Sequence, residues 1–227
     1  MTRFLAFQGI IALMIIGLCA QQDVRANDPQ KLIEDSAALA KSLLTDPKWA
    51  DYQAQFKRAK GVVIAPDIIK AGIVIGGSGG QCVLVARNSE NGGWSAPSFC
   101  AMGEASIGLQ IGFEKLEVML LIMNSGALNR IASGTAILGG EAGISVGLVG
   151  STIESATTLN LDYDILAFAR GQGFYGGVTL DGGYIGPDRA YNYAYYSRSV
   201  TAKEIIFGHK VENIQAKALS DALQYSQ

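Results

Sequence analysis

Twenty-five of the chain's 28 glycines lie between Gly61 and Gly186. They do not sit in linkers but cut short apolar runs: Ile73-Val74-Ile75-Gly76-Gly77, Gly108-Leu109-Gln110-Ile111-Gly112, Gly143-Ile144-Ser145-Val146-Gly147. Glycine inside a strand pattern marks a bulge, a sharp bend or two backbones in close approach. The middle of the chain therefore reads as one tightly curved β-structure. It carries no pattern of a nucleophile beside a base, so the expectation is a protein without catalytic residues.

Helical patterns flank this region. Asp28-Pro29 is an N-cap followed by proline in the first turn, and Leu32, Ile33, Ala37, Leu39, Ala40, Leu43 and Leu44 continue as a broad stripe. Asp46-Pro47 repeats the signal, and Trp49, Tyr52 and Phe56 follow at spacings that share one helix face. Strands are expected at Gly61–Ala65, Ala71–Gly76, Gln81–Arg87, Trp94–Ala101, Ser106–Gly112, Glu117–Met123, Thr135–Val149, Ala156–Leu161, Tyr163–Ala169 and Phe174–Leu180, with a short helix over Ser125–Ala132. Val118–Met123 is apolar on both faces, as a central strand covered on both sides would be. Thr201-Ala202-Lys203-Glu204 has capping-box spacing, and Val211, Ile214, Ala218 and Ala222 mark a last helix. The fold expected is α+β: a Gly-rich, strongly curved, mostly antiparallel β-sheet tending to a barrel. Helices lie at 28–60 and 201–225, around a β-rich core at 61–186.

The N-terminus reads as an export signal. Arg3 precedes an apolar run from Phe4 to Leu18, and Val24-Arg25-Ala26 offers a cleavage site, so 1–26 is a signal peptide and 27–227 a single mature domain. A spanning helix needs a longer run, and a lipidated Cys19 would need a smaller residue than Leu18 before it. The expected location is periplasmic or secreted, peripheral to an envelope membrane. Removing Arg3, Arg25 and Asp23 from 18 basic and 20 acidic residues leaves 16 and 19. A slightly acidic chain without a basic field excludes nucleic acid as partner.

Cys82 and Cys100 are the mature cysteines, and with one histidine, His209, they offer no metal site. Asn88–Gly93 is a turn sequence. A hairpin centred on Asn91 places Cys82 opposite Cys100, and Ala86 opposite Ala96. In an exporting context that pair is expected to lie together and to be able to form a disulfide. Asp162 and Asp164 share a strand face and resemble a paired-carboxylate site, with Glu141 and Glu154 as further oxygens, but calcium-loop spacing is missing. Gly76-Gly77-Ser78-Gly79-Gly80 lacks the lysine of a phosphate loop and reads as a hairpin loop.

Six segments in order resemble the SYLF domain: Lys60-Gly61-Val62-Val63-Ile64-Ala65-Pro66, Lys70-Ala71-Gly72, Gly92-Gly93-Trp94-Ser95-Ala96-Pro97, Gly108-Leu109-Gln110-Ile111-Gly112, Phe168-Ala169-Arg170-Gly171-Gln172-Gly173-Phe174-Tyr175-Gly176-Gly177-Val178, and Tyr195-Tyr196-Ser197-Arg198-Ser199-Val200-Thr201-Ala202-Lys203-Glu204-Ile205. The similarity runs from about Asp46 to Gly208. It implies a lipid-binding module without cofactor or catalytic residues. Eukaryotic members bind phosphoinositides, and some bind actin filaments. It also implies membrane association through an N-terminal amphipathic helix, here Pro47–Lys60, with basic residues Lys57, Arg58 and Lys60. The export signal shifts the expected partner to an anionic phospholipid or membrane surface of the envelope. The alternative is a structural or protein-interaction module of the envelope without a lipid site. Trp49, Tyr52 and Phe56 could enter a membrane interface or dock the helix on the sheet, the commoner fate of such a face.

Overall fold

The computed structural model describes residues 28–72, 75–88, 92–107, 112–139, 143–148, 163–171 and 182–224. The expected signal peptide and the expected strands Ala156–Leu161 and Phe174–Leu180 lie outside the described residues. Helix α1 spans Pro29–Thr45, a 3-10 turn covers Pro47–Trp49, and α2 runs over Ala50–Phe56. The sheet strands are β1 Gly61–Gly72, β2 Ile75–Ala86, β3 Ser98–Ile107, β4 Gly112–Ile122, β5 Ala136–Ile137, β6 Val146–Leu148, β7 Ile165–Gly171 and β8 Tyr184–Pro187. Helix α3 is Ser125–Ser133, α4 Arg189–Tyr196, α5 Ala202–Ile206 and α6 Lys217–Gln224, the last preceded by a 3-10 turn at Ile214–Ala216. Among the described residues no helix is long and apolar enough to cross a membrane.

The eight strands form one sheet in the order β5-β8-β3-β2-β1-β4-β7-β6. Every pairing is antiparallel except β6 with β7. The sheet curls until its two edges meet: Leu138, after β5, bridges Ile144, before β6, with Gly139 N–H donating to Ile144 O at 2.8 Å and Ile144 N–H to Ile137 O at 2.8 Å. The curved, barrel-tending α+β sheet with helices at both ends is thus the architecture observed.

Side-chain alternation builds two cores. Val62, Ile64, Val83, Val85, Met119, Leu121, Leu166 and Phe168 face α1, α2, α4 and α6. Val63, Ala65, Cys82, Leu84, Val118, Leu120, Ile165 and Ala167 face α3 and α5. β4 lies between β1 and β7, and Val118 to Ile122 are fully buried, as their two-sided apolar character requires. The first and last helices pack together on one face, with Leu219 and Leu223 closing the α1 stripe.

β1 runs seven residues past Ala65, through Pro66. A central strand tolerates proline only at a bulge, and the register with both neighbours slips by one residue there: Ile64 pairs with Val83 but Ile69 with Gly79, and Ala65 pairs with Val118 but Ile68 with Leu116. The bulge presses the Asp67 carbonyl against Gly80, where a Cβ would collide with it and would lie 2.9 Å from Ile68 Cδ1. The Gly76–Gly80 run is therefore no hairpin loop. It is the interior of β2, paired with β1 and β3, where lack of side chains lets neighbouring backbones approach. The expected strands Ala71–Gly76 and Ser106–Gly112 are likewise divided between β1 and β2 and between β3 and β4. Thr135–Val149 is not one strand but β5, the edge-closing bridge and β6.

The β2–β3 register is the one read from the turn. Cys82 pairs with Cys100, their Cα atoms are 4.8 Å apart and the sulfurs are bonded. That spacing is near the ~4.5 Å of a non-hydrogen-bonded antiparallel pair. Closer to the turn the register slips, so Arg87 faces Trp94, and Ala86 O accepts from Ser95 N–H at 2.8 Å in place of the expected Ala86–Ala96 pairing.

Candidate lipid-facing site

The expected amphipathic helix Pro47–Lys60 is shorter and more firmly held than its pattern implies. Asp46 Oδ1 accepts from Lys48 N–H at 3.0 Å and starts the 3-10 turn. α2 then ends at Phe56, and Lys57 to Lys60 form the turn into β1. The aromatic face is docked. Tyr52 and Phe56 are fully buried. The Tyr52 hydroxyl donates to Met119 O at 3.1 Å, and burial pushes its phenol well above the usual value. Trp49, half-buried, meets Phe168 edge-on with ring centroids 4.2 Å apart. Of the six residues expected to contact lipid, Tyr52 and Phe56 are thus spent on the core, and Trp49 on an aromatic contact beside it.

Arg87 locks this arrangement. Its Nη2 donates to Phe56 O at 3.0 Å and its Nε to Ala59 O at 3.1 Å, satisfying carbonyls at the C-terminal end of α2. The guanidinium lies 4.3 Å from the Trp94 ring centroid, within cation–π range. The Arg87 N–H also donates to Lys60 O at 2.9 Å. No local pattern marks this role, because the acceptors lie some thirty residues upstream of the donor.

Lys57, Arg58 and Lys60 are all exposed. Arg58 donates to Gln55 Oε1 at 3.3 Å. Among the described residues none of the three enters an ion pair, whereas Lys31, Lys115, Arg170, Lys210 and Lys217 do. Lys70 and Lys115 lie away from the cluster: Lys70 is near the far end of β1, beyond its bulge, and Lys115 pairs with Asp67.

At the same end of the sheet an open cleft of about 640 Å³ separates Asn88 and Trp94–Ala96 from the segment His209–Lys217. Such a volume falls in the range of ligand clefts. His209 is exposed in a left-handed conformation, φ 47°, just past α5, where it serves as a helix-end residue.

Asp164 is a staple. Its Oδ2 accepts from Ser145 N–H and Ser145 Oγ at 2.9 Å each, and its Oδ1 from Asn124 Nδ2. Asn124 also caps α3 through Ala127 N–H at 2.9 Å. Burial raises the Asp164 pKa, but the hydrogen bonds from Ser145 and Asn124 outweigh it and hold the carboxyl below its usual value. Asp162, Glu141 and Glu154 lie outside the described residues. Among the described residues no cluster of three or more His, Cys, Asp or Glu could hold a metal.

Comparison with known proteins places this architecture. The Ysc84 family, described as "Las17-binding protein actin regulator", matches residues 103–226. LAS seventeen-binding protein 3 of Saccharomyces cerevisiae is 34% identical over 155 residues, covering 67% of this chain and 33% of the yeast protein. Human SH3 domain-containing YSC84-like protein 1 is 29% identical over 167 residues, covering 73% of this chain and 48% of the human one. The chain thus spans between a third and a half of the length of these relatives. The chain belongs to the Ysc84 family, the family of the SYLF domain.

Proposed function

We propose that the mature chain is an exported, non-enzymatic lipid-binding domain that associates with anionic phospholipid at the envelope surface. The observation that carries this reading is the turn Lys57–Lys60, where three exposed cations sit together outside any ion pair among the described residues. Each contributes on the order of 1 kcal/mol at an anionic surface, so the association is weak and salt-sensitive. Export is supported by the N-terminal pattern and by the disulfide, which suits an oxidising compartment. The actin regulation in the family's description concerns a cytoskeletal partner, which an exported chain does not meet. Co-sedimentation of residues 27–227 with phosphatidylglycerol-containing and pure phosphatidylcholine vesicles tests the proposal. The anionic vesicles should retain more protein, salt should release it, and K57S/R58S/K60S should lower retention without changing the thermal midpoint. Equal retention of the triple variant and the wild type overturns the assignment.

A further inference from the structure

We propose that the segment between α5 and α6, led by Ile214, is the apolar contact with which this end of the molecule seats on an anionic bilayer. This rests on the lipid-binding reading and supplies what α2 does not, since the α2 aromatics are spent on docking. Ile214 is 87% exposed, more than any other large apolar side chain among the described residues, the next being Tyr193 at 60%. It is nevertheless held on a hydrogen-bonded turn. Asn213 Oδ1 accepts from Gln215 N–H at 3.0 Å, Ala216 N–H donates to Asn213 O at 3.0 Å, and Gln30 Nε2 donates to Gln215 O at 3.5 Å. Val211 before it is buried in the α3/α5 core and Leu219 after it in the α1/α6 core, so the segment passes from one face of the sheet to the other, pinned on both sides.

The segment crosses at the end that carries the cations. Gly61 pairs with both Ala86 and Ile122, which brings the start of β1 and the ends of β2 and β4 to one end of the sheet. Lys60 is tied to Arg87 through its carbonyl, Arg87 stacks on Trp94, and Trp94 and Ile214 line the same cleft. An apolar side chain exposed on a hydrogen-bonded turn, at the end of the sheet that also carries cations outside ion pairs among the described residues, is the combination a membrane interface uses. A protein interface requires a contiguous apolar centre, whereas Ile214 stands with polar and charged neighbours Glu212, Asn213, Gln215 and Lys217. Exposed Ile69 lies toward the opposite end of β1, where Lys115 is already paired with Asp67.

The test uses residues 27–227 as wild type, I214S and K57S/R58S/K60S, with phosphatidylglycerol/phosphatidylcholine vesicles over a salt series. It adds I214C carrying an environment-sensitive fluorophore, which is selective because Cys82 and Cys100 are bonded. I214S should bind about tenfold more weakly, since a buried isoleucine is worth at least that factor. Its remaining binding should be the more salt-sensitive, and its thermal midpoint unchanged. The fluorophore should brighten and shift to the blue on vesicle addition. If wild type binds anionic vesicles while I214S matches it and the fluorophore does not respond, this inference falls and the lipid-binding reading stands. If wild type ignores anionic vesicles, both fall. If I214S instead abolishes self-association in sedimentation velocity and leaves vesicle binding intact, Ile214 is a protein contact and the inference is overturned.

Discussion

Reduction of the Cys82–Cys100 bond should cost the domain about 3 kcal/mol. The bond closes a loop of 18 residues in the unfolded chain, and the loop-closure relation gives about 11 cal/mol/K of lost unfolded-state entropy, about 3 kcal/mol at 25 °C. No compensating loss of burial is expected. Both cysteines are essentially inaccessible, and a buried thiol packs as a small apolar residue. For a chain of this size the loss corresponds to a fall of about 6–12 °C in thermal midpoint. Because the sulfurs are buried, reduction must be done in denaturant and the protein, as residues 27–227, refolded in reductant, with two thiols per chain confirmed by titration. Urea unfolding of the oxidised and reduced forms then gives the difference, and C82A/C100A should be indifferent to reductant. A reduced form with two titrated thiols and a stability within about 0.5 kcal/mol of the oxidised form would refute the reasoning, because the bond would then constrain nothing that the unfolded chain explores.

Gly80→Val should be among the most damaging single changes in the sheet. The added Cβ meets the Asp67 carbonyl, a backbone atom held by the β1 bulge, and overpacking against backbone costs about 1–3 kcal/mol or more; urea unfolding measures it, and a variant within 0.5 kcal/mol of wild type (about the limit for a neutral surface change) would show that the bulge yields. Asp164 should contribute to acid sensitivity. Its folded pKa is depressed, so its stabilisation is present above the unfolded value near 3.9 and is lost as pH falls through the folded value. D164N should therefore be less stable than wild type at pH 7 and lose less on going to pH 3, and equal losses in the two proteins would contradict the staple.

Much of the architecture could be read from local chemistry. The Asp28 and Asp46 caps, the Thr201–Glu204 capping box and the 82/100 register each depend on residues close in sequence, and each appears in the structure. Misreadings arose where tertiary context overrides a local rule. Pro66 looks like a strand end, but the bulge lets β1 continue. Gly76–Gly80 looks like a loop, but its missing side chains admit neighbouring backbone. Helix α4 carries a weak local signal, since the β-propensity of Tyr191, Tyr193, Tyr195 and Tyr196 competes with the cap at Asp188, which accepts from Tyr191 N–H at 3.0 Å. Of the candidate site, the cations expected to close the helix lie instead in the exposed turn that follows it. For the aromatic face the sequence favours docking over insertion, although one periodicity serves both, and the structure has Tyr52 and Phe56 docked and buried.

The energies favour keeping that face docked when the domain meets a membrane. Releasing α2 would expose Trp49, Tyr52 and Phe56 together with the Val62, Met119 and Phe168 surface beneath them. At ~1.5–3 kcal/mol for each large side chain, the fully buried Val62, Met119 and Phe168 alone represent about 4.5–9 kcal/mol. Insertion into lipid regains the helix's share but leaves the sheet patch uncovered, and Arg87 loses its acceptors at Phe56 and Ala59. Three cations at about 1 kcal/mol each do not offset that loss. Ile214 needs no such rearrangement, because it is exposed already. On the proposed reading, the cations and this one apolar side chain together would supply about 5 kcal/mol, corresponding to an apparent Kd of roughly 0.2 mM, which is reversible association that leaves the disulfide-bonded sheet and its helices intact.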